Sequence, residues 1–297
     1  RYQTGIEFNM VKLITGVGGF IGSSLAQRLL QNGEDVVGVD CFIDYYPREI
    51  KEKNLRPLRD YSTFAFIEKN ILELDFPKIL DGIDGIYHQA AQAGVRASWG
   101  EDFGIYTKNN ILATQKLLEA VKESRVRVVY ASSSSVYGET KKFPMQEDDL
   151  PNPVSPYGVS KLAAEHLCRL YWKNFSVPTV SLRYFTVYGP RQRPDMAFHR
   201  FLKAIMKGEE ITLYGDGEQT RDFTFIKDAV DANLLAMEKG QAGGVYNIGG
   251  GSQVTINHCI ESMEIIVGKK ANVKRLERQK GDVTHTYADT TRAQKEL

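Results

Sequence analysis

The sequence predicts an α/β protein: a doubly wound parallel sheet covered by helices, with a smaller lobe interleaved in its C-terminal half. Three observations predict it. Apolar, β-rich runs alternate with amphipathic helical stretches as far as Arg183. The connections between runs are longer than a hairpin, which is what parallel pairing requires, and apolar strands flanked by helices are those of a sheet buried on both faces. Past Arg183 the rhythm changes to turn-rich segments.

The elements follow in order. Val11 to Thr15 reads as a buried strand and Phe20 to Gln31 as a helix, with Asn32-Gly33 as its stop. Asp35 to Asp40 is the next strand. Thr63 to Ile67, Gly85 to His88, Val126 to Ala131 and Thr179 to Arg183 follow as strands, with helical patterns at Asn109 to Glu123 and Tyr157 to Asn174. Ser155 is a good N-cap and Pro156 a good first helical residue. In the second half, Tyr188 to Pro194 is turn-rich, Ala197 to Lys207 helical, Tyr214 to Gly217 and Gly249 to Gly251 are turns, and Gly244 to Ile248 is a return to the sheet. Residues 1–9 are expected to be an extension or tag remnant before a start at Met10. Residues 10–183, with a return at about 222–248, form the larger domain; 184–221 and 249–297 form the lobe. The chain stops at Leu297 inside an apparent helix, so a further C-terminal segment is expected.

Composition narrows the function. A net charge of +1 over 297 residues gives no reason to expect nucleic acid or a membrane surface as partner. No apolar run approaches the ~20 residues of a spanning helix, and residues 1–9 lack the apolar stretch of a secretory signal. Three scattered cysteines, Cys41, Cys168 and Cys259, fit free thiols in a reducing, cytoplasmic setting. Neither they nor the five histidines have metal-ligand spacing, so no metal site is expected. Trp99, Trp172 and the remaining tyrosines read as core or interface, and Glu147 to Asp149 as a solvated loop.

Two motifs carry chemistry. Thr15-Gly-Val-Gly-Gly-Phe-Ile-Gly22 joins the first strand to the first helix. It departs from strict Gly-x-Gly-x-x-Gly spacing, yet the roles fit: Gly16 for the tight turn, Gly19 for close approach of a pyrophosphate, Gly22 for helix–strand packing, and the helix start at Phe20 and Ile21 for the anion. Asp40 ends the second strand near the ~20-residue spacing at which an acid reads the ribose hydroxyls, so NAD is expected over NADP. The second motif is Tyr157-Gly-Val-Ser-Lys161. Four residues apart on a helix, the phenol and the ammonium share a face. A cation there favours the phenolate of a group with pKa near ~10, and a tyrosine so tuned can take an alcohol proton.

With Tyr157 and Lys161 joined to Gly16, Gly19, Gly22 and Asp40, the chain resembles the extended short-chain dehydrogenase/reductase family, and within it the nucleotide-sugar epimerases, over a length from about Val11 to the end. Further matches are His88-Gln-Ala-Ala91, Asn109, Ser132 to Gly138 and Arg183 to Thr186. The resemblance implies a Rossmann-type fold with tightly bound NAD+. It places Ser133, Tyr157 and Lys161 at the chemistry, the backbone of His88-Gln-Ala-Ala91 beside the nicotinamide ribose, Asn70 and Ile71 at the adenine, and Ala90, Ala91, Gln92, Asn109, Ser132 and Tyr184 among the cofactor-binding residues. Asn70 stands where many relatives have an acid. Ala91 to Arg96, Phe185 to Pro190 and Arg193 to Met196 liken the chain most to the epimerases that act on UDP-glucuronate. Gln279, where many relatives place Arg, points the same way.

The implied reaction is a reversible 4-epimerisation of a UDP-sugar with no net redox change. The hydroxyls Ser134 and Ser135, standing where related dehydratases and decarboxylases carry an acid, argue against those reactions. Ser134, Ser135, Thr186 and Arg193 are candidates for a C5 carboxylate. Arg96, Tyr214, Arg221 and Asp282 are candidates for the rest of the UDP-sugar, with Arg221 at the diphosphate. UDP-glucose or its N-acetyl form remains an alternative substrate, and a non-catalytic binding module a third reading. A homodimer is expected, its two helical stretches packing with their copies through Leu112, Leu117, Leu118, Leu167 and Leu170, which a core role explains equally well.

Overall fold

Seven parallel strands make the central sheet of the computed structural model, which describes residues 10–297; the expected extension 1–9 lies outside the described residues. Strands β1 (Val11–Thr15), β2 (Asp35–Asp40), β3 (Phe64–Glu68), β4 (Ile83–His88), β5 (Arg127–Ser133), β6 (Thr179–Tyr184) and β10 (Gly244–Ile248) are ordered β10-β6-β5-β4-β1-β2-β3. The order reverses between β1 and β4, which are hydrogen-bonded neighbours. A crevice at such a reversal, beyond the C-terminal strand ends, is where ligands bind in open parallel sheets.

Helices cover both faces. On one lie α1 (Phe20–Gln31), α2 (Arg48–Leu55) and α8 (Ile226–Glu238), packed on a core that includes Ile14, Leu25, Leu29, Leu55, Val180 and Leu182. On the other lie the single turns α3 (Phe76–Ile79) and α4 (Phe103–Tyr106), then α5 (Ala113–Val121) and α6 (Pro156–Phe175), over Leu13, Ile86, Val128 and Tyr130. The alternation of strand and helix seen in the sequence thus becomes two buried layers of side chains. Ser155 caps α6, its Oγ accepting the Gly158 N–H at 3.1 Å, and Pro156 opens the helix. The helix predicted over 109–123 is interrupted: Thr107–Leu112 is a π-helical turn between α4 and α5.

The lobe holds β7 (Thr186–Tyr188), β8 (Glu210–Tyr214), β9 (Thr220–Phe225), β11 (Gln253–Thr255) and β12 (Asn272–Leu276) in two small sheets, with α7 (Ala197–Lys207) and α9 (Ile256–Val267). Phe201, Ile205, Ile211, Ile260 and Met263 form its own core. The last helix, α10 (Thr291–Glu296), packs back on the large domain, where Tyr246 donates to Glu296 and Ala293 meets the first core.

Two sequence expectations change. Glu147 is no solvated residue: its side chain is 5% exposed and its carboxylate accepts the Asn247 N–H at 2.9 Å. Leu117 and Leu118 are fully buried in the second core and leave no surface for a partner, whereas Leu112 and Leu170 are about half exposed.

Candidate active site

The glycine turn is shaped by contacts that leave no room for side chains. Gly16 has φ +73°, and a Cβ on it would stand 2.7 Å from the Ala90 nitrogen; a Cβ on Gly22 would stand 2.2 Å from the Gly16 oxygen. The turn therefore lies against the end of β4, and α1 packs tightly on its own entry. Gly19 is the N-cap of α1, so the first N–H groups of that helix have no intrahelical acceptor and face the crevice. Asp40, at the end of β2, accepts from Gly18 N–H through Oδ2 (3.0 Å) and from Phe42 N–H through Oδ1 (2.8 Å). These two bonds fix the plane of the carboxylate.

One cavity gathers every residue that the sequence assigned to the cofactor: Gly16, Gly19, Phe20, Ile21, Gly22, Asp40, Asn70, Ile71, Ala90, Ala91, Gln92, Asn109, Ser132, Tyr157, Lys161 and Tyr184. Arg193 lines it too. A cleft with a glycine cradle and helix start at one wall, a fixed carboxylate, and a Tyr–Lys helix at another fits a dinucleotide by its own chemistry. The sequence missed Cys41, Ile43, Lys51, Lys69 and Ala93, and it read Tyr45 and Tyr46 as core or interface although both stand in the cavity wall. Nothing local marks these residues. Cys41, Ile43, Tyr45, Tyr46 and Lys51 reach the cleft because the segment after β2 folds over its mouth, and Lys69 and Ala93 because they follow the ends of β3 and β4.

Behind the cavity, polar side chains hold the loop after β4. Ala90 N–H donates to Thr15 Oγ1 (3.2 Å), whose hydroxyl donates to His88 Nδ1 (2.7 Å). His88 Nε2–H in turn donates to Thr114 Oγ1 (2.9 Å), since that hydroxyl is spent on Asn110 O (2.7 Å). This assigns a neutral imidazole, and burial pushes its pKa down to about 3. Asn109 faces the cleft, its Nδ2 donating to Ile105 O. Its neighbour Asn110, passed over in the sequence, is buried. Asn110 accepts from Gln92 N–H (2.7 Å) and donates to Gln92 O (3.0 Å) and Ser160 Oγ (2.9 Å), and Ser160 donates to Tyr157 O (2.7 Å). The π-helical turn presents successive asparagines to cleft and interior.

The candidate reactive group, Tyr157, differs in one respect from the helical-spacing argument. Burial raises the Tyr157 phenol above its ordinary value; a hydrogen bond with Ser133 and the charge of Arg193, not Lys161, pull it the other way. Lys161 is 3% exposed, its Nζ 4.7 Å above the Tyr130 ring, and burial pushes its pKa down to about 7. Spacing on a helix aligned the two side chains, but desolvation sets the sign of both shifts. Ser133 ends β5, and its Oγ accepts from Ser135 N–H (3.1 Å) at the start of the turn that carries Ser134 and Ser135. Because Ser133 pairs with Tyr184 in the sheet, Thr186 at the head of β7 emerges from the neighbouring strand end. Arg193 makes a two-pronged pair with Asp195 (3.0 and 2.9 Å). Ser132 donates to Glu165 (2.6 Å), which forms a buried pair with Arg183 (2.6 Å).

A second cavity, in the lobe, brings together Tyr214, Arg221 and Asp282 with Arg278, Thr284 and His285. Arg221 donates to the carbonyls of Thr220, Val283 and Thr284, and burial lowers its pKa. Arg96 reaches across from the large domain, donating to Asp282 (2.6 Å) and lying 4.3 Å over the Tyr214 ring. Among the described residues, no group of three or more His, Cys, Asp or Glu could hold a metal, and no helix is long and apolar enough to cross a membrane.

The chain is similar in sequence and fold to known proteins. The NAD dependent epimerase/dehydratase family matches residues 12–249. An uncharacterized UDP-glucose epimerase, YtcB, of Bacillus subtilis is 44% identical, covering 96% of this chain and 91% of its own. The UDP-glucuronate 4-epimerase of Thermodesulfobacterium geofontis is 39% identical, covering 96% and 89%. The crystal structure of UDP-glucuronic acid 4-epimerase from Bacillus cereus, in complex with UDP-glucuronic acid and NAD, has a TM-score of 0.94 at 49% identity, covering 97% and 93%.

Proposed function

Because the chain belongs to the NAD dependent epimerase/dehydratase family, we propose that it is a UDP-glucuronate 4-epimerase, interconverting UDP-glucuronate and UDP-galacturonate with NAD held tightly throughout. One observation carries the reading: Tyr157 lines the dinucleotide cleft at the end of β5, where burial raises its pKa, Ser133 draws it down, and hydroxyls rather than an acid follow. The match to an epimerase crystallised with UDP-glucuronic acid and NAD supports the choice of sugar.

NAD+, when bound, supplies the hydride acceptor and donor for C4 of the sugar. The remaining work belongs to side chains of this chain. Tyr157 Oη takes the C4 hydroxyl proton and returns it, while Ser133 donates to the same oxygen. Lys161 holds the nicotinamide ribose, and a bound dinucleotide's positive ring adds to the cationic field that favours the phenolate. The amides at the start of α1 hold the pyrophosphate, Asp40 the adenosine ribose, and Asn70 and Ile71 the adenine. Ser134, Ser135, Thr186 and Arg193 hold the C5 carboxylate out of line with the 4-ketone, which suppresses loss of CO2. Arg193 gives up part of its pairing with Asp195 to do so. Arg221, Arg96, Tyr214 and Asp282 take the UDP portion in the second cavity.

Two copies form a dimer through exposed apolar side chains beside α5 and on one face of α6, Leu112, Val159 and Leu170. The free thiols fit the cytoplasm. The experiment is direct. Purified protein incubated with UDP-glucuronate and no added NAD is expected to yield UDP-galacturonate at equilibrium; absence of product, with UDP-glucose converted instead, would transfer the reading to that sugar.

A further inference from the structure

We infer that Asn54 is a positioning residue for cofactor retention, acting through Gly18; the inference rests on the cofactor reading above. Asn54 lies in the last turn of α2, far in sequence from the glycine turn, and is 6% exposed. Its Nδ2 donates to the Gly18 carbonyl at 3.1 Å. The peptide that it grips joins Gly18 to Gly19, two residues with the softest backbones available. The other side of that peptide, Gly19 N–H, donates to Gly16 O at 3.1 Å. The plane is thus pinned from both edges, and it is the plane that leads into the N-cap of α1.

Two consequences follow from the same bond. With the plane fixed, the carbonyl of Gly18 points into the protein toward α2, and the unpaired amides at the helix start are left to face the pyrophosphate. The amide of Gly18 is held in turn for Asp40 Oδ2, and a Cβ at Gly18 would stand 3.1 Å from that oxygen. Asn54 therefore steadies both the pyrophosphate cradle and the carboxylate that reads the ribose. From the same helix Lys51 Nζ donates to Ile43 O at 2.9 Å, securing the loop that follows Asp40. Helix α2 acts as a bracket on the adenosine end of the cleft.

The test uses purified holoenzyme and reads NAD dissociation, not turnover. Asn54→Leu keeps the volume and removes the donor; NAD is expected to leave about tenfold faster, equivalent to ~1.4 kcal/mol, with UDP affinity unchanged. Asn54→Asp supplies the diagnostic. At about pH 8 its carboxylate has no proton to give Gly18 O, and NAD leaves as fast as from Asn54→Leu. Burial and the facing Gly18 oxygen raise the introduced acid above its ordinary ~3.9; at about pH 5 its protonated form donates, and the rate returns toward that of the parent at the same pH. Dissociation within twofold of the parent in both variants overturns the inference. So does an Asn54→Asp defect that does not change with pH, or loss of UDP and NAD affinity together. Should Asn54→Leu fail to fold, the pH response of Asn54→Asp decides alone. A parent protein that holds no NAD would instead overturn the function proposed above.

Discussion

Protonation of His88 tests the brace beneath the cofactor loop, and its size can be worked from the structure. The ring is fully buried, accepting from Thr15 and donating to Thr114. A second ring proton would confront Thr15 Oγ1, whose own hydrogen points at the ring. Burial, with the charge of Lys161 acting in the same sense, holds the folded pKa at about 3; an unfolded chain titrates near ~6.5. Above ~6.5 both states are neutral and the group adds no pH dependence. As pH falls through that value, the unfolded chain binds a proton that the folded protein refuses until about 3, so stability is lost across this window. At ~1.4 kcal/mol per unit the loss reaches ~5 kcal/mol at the acid end and ~2 kcal/mol by about pH 5. Urea unfolding of the parent and of His88→Asn, at intervals from about pH 7.5 to about pH 4.5, measures it. The parent is expected to lose ~1–2 kcal/mol more than the variant between about pH 6.5 and about pH 5. Parallel pH profiles for the two proteins would refute the neutral, buried imidazole and the hydrogen-bond directions drawn from it.

Three further outcomes are expected. Tyr157→Phe lowers epimerisation by ~10²–10⁴-fold while NAD remains bound, as checked by turnover beside cofactor content; a variant with more than a tenth of parental activity would remove Tyr157 from the chemistry. Arg183→Met leaves Glu165 buried without its partner and destabilises the fold by ~3–5 kcal/mol, and adding Glu165→Leu restores part of it; thermal and chemical denaturation of the single and double variants tell them apart. Leu170→Glu, on a side chain 52% exposed, is expected to shift the protein from dimer to monomer in sedimentation equilibrium with its secondary structure intact; an unchanged mass would place the interface elsewhere.

The parts of the site read from the sequence are those whose signals are local. The Gly16 to Gly22 turn announces itself because strand, turn and helix follow one another along the chain, and Asp40 because the next strand must end beside that turn. Tyr157 and Lys161 are legible because one helix with a Ser–Pro start fixes their common face. The parts not read are those whose partners lie far away in sequence. Asn54 on Gly18, Glu165 on Arg183 and Arg96 on Asp282 become neighbours only after the sheet order is set. Glu147 looked like a loop acid until β10 returned and presented the Asn247 N–H to it.

The sequence by itself therefore determined the doubly wound sheet, the dinucleotide turn and the candidates for the reacting side chains, since each is encoded by residues within a few positions of one another. Only the tertiary structure decided which charges matter to the phenol, how Asn109 and Asn110 divide their duties, and which leucines stay exposed. Those outcomes depend on burial and on distances across the chain, and desolvation acts on a group only once other elements have closed over it.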